Sequence, residues 1–117
     1  MTRTAGSLLD LAERILSGRM PMPRGRGARI AAILGRTALE EIVDERCAQE
    51  GLEVRQAGMR VKLACLRAVA GPVAGEASVA WWGLSRACHQ HAYEVAPHRS
   101  EVAHLVGRVR ELATATD

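Results

Sequence analysis

Apolar residues return along this chain every three or four positions, and nowhere do they alternate with polar ones for long enough to suggest a strand. Leu8, Leu9, Ala12, Ile15 and Leu16 make the first helical stripe, with Ser7 placed to cap it and Gly18 to end it. Residues 19–27 (RMPMPRGRG) break the pattern with two prolines, two glycines and three arginines in nine positions, which predicts a basic loop. A long second helix is predicted from about 28 to 50, where Ile30, Ile33, Leu34, Ala38, Leu39, Ile42, Val43 and Cys47 fill a broad stripe and Gly51 supplies a stop. A stripe so wide belongs to the central helix of a bundle. A third helix over about 57 to 70 places Met59, Leu63, Leu66 and Val69 or Ala70 on one face, and Gly71-Pro72 closes it. The fourth is predicted over about 76 to 95, with Trp81, Leu84, Cys88 and Val95 at core spacing, before Ala96-Pro97 interrupts. Ser100 then caps a fifth helix carrying Val102, Leu105, Val106, Val109 and Leu112, and residues 113–117 form a frayed tail. Together these elements predict one all-α domain over 1–117, an up-and-down four-helix bundle with an additional short N-terminal helix.

Composition narrows the class without changing it. A chain of 117 residues suits a single domain, and hydrophobic and charged shares of 48% and 25% are those of an ordinary globular protein. Aromatics make up 3% and Phe is absent, so the core must come from aliphatic side chains, alanine and the two tryptophans. No apolar run is long enough to span a bilayer, and the N-terminus lacks the apolar stretch of a secretory signal, so a cytoplasmic location and no membrane partner are expected. A net charge of +3, carried by arginine with Lys62 as the single lysine, permits polyanion binding without demanding it. The same Ala-, Arg- and Gly-rich composition also fits a GC-rich coding sequence. Cys47, Cys65 and Cys88 are widely spaced and odd in number, which reads as buried thiols rather than a disulfide framework.

Chemistry concentrates in Arg86-Ala87-Cys88-His89-Gln90-His91-Ala92-Tyr93. A permanently charged guanidinium beside an imidazole that titrates near neutrality can serve phosphodiester chemistry without a metal. The Arg-x4-His-x-Tyr spacing, late in a short helical chain, resembles the signature of the HEPN ribonucleases and toxins, in the form that is paired with minimal nucleotidyltransferase antitoxins. The resemblance spans most of residues 28–112: the segment with Ala38-Leu39-Glu40 looks like the family's second helix, and 101–112 like its closing one. Ala87 departs from the polar residue common after the motif's Arg, which removes an accessory hydrogen bond.

The resemblance implies an HEPN-like bundle that dimerises through the fourth helix and cleaves RNA without cofactor or metal. It further implies Arg86 and His91 as catalytic groups, and Tyr93 as the residue to which a partner nucleotidyltransferase attaches AMP. Geometry adds a competitor. On one regular helix residues five apart diverge by about 140°, so Arg86 and His91 share no face unless the helix distorts or a second protomer completes the site. His89 and Tyr93, at i+3 and i+7 from Arg86, do share one, and His89 competes with His91 as the imidazole. Arg19, Arg24 and Arg26 in the basic loop are candidate phosphate contacts, and Trp82, on the side of Arg86, is a candidate base-stacking or dimer contact.

Plainer readings stand beside each assignment. Arg86 alone is an ordinary solvated helix residue, His91 a seam histidine with Leu84, Cys88 and Val95, and Tyr93 a rim residue. Cys88 with His91 could chelate a cation, yet no four-ligand spacing exists. A catalytically silent HEPN-like bundle serving as a binding or adaptor module is the alternative to the ribonuclease.

Overall fold

The computed structural model describes residues 3–23, 25–89 and 97–116. They form five helices, α1 (Arg3–Leu16), α2 (Gly27–Gln49), α3 (Met59–Val69), α4 (Gly71–Cys88) and α5 (Arg99–Thr116), with no strand among the described residues. The fold class is therefore all-α, a bundle in which α1 is the additional N-terminal helix. None of the helices is long and apolar enough to cross a membrane.

The stripe read on α2 becomes the centre of the molecule, and α2 packs against each of the other four helices. Small side chains let those neighbours come close. Ala31, Ala32, Gly35 and Ala38 are all buried, and a Cβ added at Gly35 would lie 3.1 Å from Val106 Cγ2 and 3.6 Å from Leu84 Cδ1. Leu9, Leu39, Leu66, Leu84, Val43, Val102, Val106 and Val109 are the largest fully buried side chains, which is how a chain without Phe fills its core. One charge is buried among the described residues: Lys62 on α3, whose Nζ lies 2.6 Å from Asp44 Oδ1 on α2. That pairing offsets the cost of taking the ammonium out of water.

Turn chemistry works at two of the predicted stops. Gly18 and Gly51 adopt φ of +82° and +74°, a left-handed conformation that a side chain would strain, and they end α1 and α2. Helix starts depart from expectation. α1 begins at Arg3, ahead of the Ser7 cap read from sequence. α5 is capped by His98 and not by Ser100: the Ser100 N–H donates to His98 Nδ1 at 3.3 Å, and the Ser100 hydroxyl lies 2.7 Å from the same nitrogen. An imidazole nitrogen here does what a cap oxygen does elsewhere, accepting from the second residue of the helix.

α4 differs most. Gly71-Pro72 opens this helix instead of closing off its approach, because a proline in the first turn gives up no hydrogen bond the helix would have made. Only Ala70, at φ −149° and ψ 63°, separates α3 from α4. The two fold back as a hairpin, which brings Arg60 of α3 over the ring of Trp82 on α4. At its other end α4 stops at Cys88, and His89 is extended (φ −98°, ψ 96°), so the fourth helix does not reach Val95 in one regular run.

Candidate functional site

α2 and α4 run antiparallel, so the first turn of α2 meets the last turn of α4. Arg29 Nε–H donates to the Cys88 carbonyl at 3.0 Å, satisfying one of the orphan acceptors of the helix end and placing positive charge against its negative pole. Two turns further along α2, the Arg36 guanidinium lies 4.2 Å from the Trp81 ring centroid and approaches the Cys88 thiol. Burial pushes the Cys88 thiol above its ordinary value, and the charges of Arg36 and Arg29 oppose that only in part. Cys88 is thus a protonated packing residue at neutral pH, not a nucleophile.

Arg86 stands in the last turn of α4 with its side chain exposed, two residues before Cys88 and therefore on the far side of the helix from Arg29 and Arg36. The backbone N–H of His89 is shared between the carbonyls of Ser85 (3.2 Å) and Arg86 (3.3 Å), and its ring is exposed. Three guanidinia thus surround the point where the chain leaves α4. His91 and Tyr93, the motif's other members, lie outside the described residues, as does Arg24 of the loop. Because α4 ends at Cys88, the angles expected for a continuous helix through Tyr93 do not apply. His91 is not held 140° away from Arg86 by helical geometry, and the shared face of Arg86, His89 and Tyr93 is likewise not imposed.

The same end of the bundle carries the basic loop. Residues Gly18, Met20, Pro21, Met22, Pro23 and Gly25 share a cleft of about 410 Å³ with Pro97 and Arg99 at the start of α5. Arg99 reaches toward the first residue of α2: its Nη2 lies 3.8 Å from where a Cβ on Gly27 would sit. Arg19 is exposed and donates from Nε to Ser17 Oγ at 3.1 Å, and Arg26 is exposed at the N-cap position of α2. Arg19, Arg26, Arg29, Arg86 and Arg99 therefore gather at one pole with His89 and His98.

Arg29, Arg36 and Arg99 were not legible as members of the motif, yet the sequence held a signal for the first two. Between Glu13 and Glu40 there are six arginines and no acidic residue, and 77–93 is likewise free of Asp and Glu. Charge segregation of this kind concentrates positive charge locally in a way that the modest net charge conceals.

Trp81 is buried and Trp82 is 52% exposed. Trp82 opens onto a second cleft, between α3 and α4, that also carries Arg60 and Arg67. Among the described residues no group of three or more His, Cys, Asp or Glu side chains is arranged to hold a metal ion. Comparison with family models, curated proteins and solved structures gave no match to this chain.

Proposed function

We propose that this chain is an endoribonuclease of the HEPN type, a toxin or defence enzyme held in check by a partner, working as a two-fold dimer. The observation that carries the reading is the pole just described. The Arg86–His89 turn, with His91 and Tyr93 next in sequence, emerges among arginines contributed by α2, α5 and the loop, in acid-free stretches of chain. An RNA backbone meets fixed positive charge there from several directions, and arginine suits phosphate by its planar, bidentate fork.

An imidazole, that of His91 by the resemblance or that of His89 as its competitor, takes the proton from a ribose 2′-hydroxyl. The 2′-oxygen attacks phosphorus, the bond to the 5′-oxygen breaks, and that oxygen takes a proton from solvent as it leaves. Arg86 offsets the charge that builds on the phosphorane-like transition state. The products are a 2′,3′-cyclic phosphate and a 5′-hydroxyl, and arginine supplies the positive charge that a metal ion supplies in other nucleases. AMP attached to Tyr93 by a partner nucleotidyltransferase would set a phosphate against the arginines that RNA needs, and so silence the site by charge and occupancy.

Purified protein incubated with RNA in EDTA tests the proposal. Cleavage is expected to leave cyclic phosphate ends, and Arg86→Ala and His91→Ala are each expected to lower it at least about a hundredfold, the scale of a lost acid–base or charge-stabilising group. Cleavage lost with His89→Ala and kept with His91→Ala would exchange the two imidazoles. Cleavage that survives Arg86→Ala would sink the mechanism, and RNA binding without cleavage would leave the silent binding module.

A further inference from the structure

The cleft between α3 and α4 lies outside the motif and has the features of a stacking site. It encloses about 260 Å³ and is lined by Arg60, Leu63, Ala64, Arg67, Ser78, Trp81 and Trp82. A tryptophan at 52% exposure costs solvation that a folded chain normally avoids, and this one already holds a cation over its ring, Arg60 at 5.6 Å from the centroid. Charge in the walls has one sign. α3 contains Arg60, Lys62 and Arg67 and no acidic residue, and the one acid of α4, Glu76, is engaged by Arg108 of α5. Lys62 is taken by Asp44, but neither Arg60 nor Arg67 has an acidic partner among the described residues. Trp82 and Arg86 are four residues apart on one helix, so they project about 6 Å from each other along the same side.

We propose that this cleft is a nucleobase subsite for single-stranded RNA, in which an unpaired base stacks on Trp82 while Arg60 and Arg67 meet the flanking phosphates. It deepens the ribonuclease reading, on which it rests, by naming the substrate as unpaired RNA. Only an unpaired base can offer its face to an indole, because in a duplex both faces are covered by neighbouring bases. Arg60 is exposed and long enough to yield its place over the ring, and once displaced it lies beside the backbone of the base that displaced it. The Ser78 hydroxyl in the wall gives the base edge one hydrogen-bonding group. A second copy of this chain is the poorer occupant, since a two-fold contact here would set Arg60 and Arg67 against their own counterparts.

The test uses a short RNA methylated at every 2′-oxygen, which offers no nucleophile for its own cleavage and lets the unaltered protein be titrated. Indole fluorescence quenching and anisotropy of the labelled RNA report binding. Trp82→Ala is expected to weaken single-strand binding about tenfold or more, the loss of one stacked base, and to abolish the quench, while Trp82→Phe recovers part of the affinity. Arg60→Ala with Arg67→Ala is expected to weaken binding and flatten its salt dependence. Single-strand binding unchanged by Trp82→Ala, binding of duplex as tight as of single strand, or a fall from dimer to monomer in Trp82→Ala would each overturn the subsite. Cleavage of unmodified RNA is measured in parallel. Trp82-dependent binding without cleavage would overturn the ribonuclease reading and keep the subsite, whereas cleavage with Trp82-independent binding would do the reverse.

Discussion

Gly83 shows how close the helices come. A Cβ there would lie 2.7 Å from Leu105 Cδ1, closer than real contacts come, and a tight 3.0 Å from Cδ2, whereas a Cβ at Gly107 on α5 would meet nothing within 4 Å. Both are helical glycines, so alanine should help at each by restricting the unfolded chain, and only packing separates them. Leu105 is 8% exposed and can give way only into its neighbours. Gly83→Ala is therefore expected to destabilise by about 1–2 kcal/mol through overpacking, and Gly107→Ala to stabilise by about 0.5–1 kcal/mol. Urea unfolding of the two variants beside the parent checks both signs, and a stabilising Gly83→Ala would mean the α4–α5 contact is looser than described. Individual core residues were legible from spacing: Leu39, Ile42, Val43, Leu84, Val102 and Val106 are all buried. Exposure at Ile33 was not, because the stripe on α2 is wide enough that its edge reaches solvent at 46%.

Among the elements, α4 departs furthest from its sequence pattern, and both departures have local causes. Its start was missed because proline reads as a break when it follows glycine, although a first-turn proline breaks nothing. Its end was missed because the stop is tertiary. Cys88 is followed by no glycine or proline for several residues, and the Cys88 carbonyl is satisfied by Arg29, 59 positions away in sequence. Removing that donor should loosen the last turn of α4, which carries Arg86. Arg29→Ala is expected to cost about 1–2 kcal/mol in urea unfolding, from a charged hydrogen bond and a favourable charge at the helix end. Faster amide exchange at Cys88 and His89 than at Leu84 would locate the effect. Arg29→Lys keeps the charge but not the Nε geometry, and should recover only part of the loss. If Arg29→Ala is as stable as the parent and exchanges no faster at Cys88, α4 ends where it does for another reason.

At the scale of the whole molecule, the helical class and bundle layout follow from periodicity, but the gathering of arginines at one pole does not. It depends on α2 and α4 running antiparallel and on α5 starting beside α2, which no linear motif contains. The structure also changes the basis for a dimer. A second protomer was needed to bring Arg86 and His91 together only while one helix carried both, and α4 stops at Cys88. What supports association is the outer face of α4, where Val79 is 65% exposed, with Pro72 and Gly75 on the same side. Val79 and Trp82 lie about 60° apart around the helix and one turn from each other, so a partner seated on Val79 borders the α3–α4 cleft. Burying a valine at a two-fold axis counts twice, once from each chain. Val79→Asp is accordingly expected to convert dimer to monomer at tens of micromolar in light scattering, with the helical content of each chain unchanged. A parent protein that is already a monomer at that concentration, or a Val79→Asp variant that remains a dimer, would remove α4 from the interface. If the monomeric variant still cleaves RNA at the parent rate, one chain completes the site alone, with the imidazole supplied by the segment that follows its own Arg86.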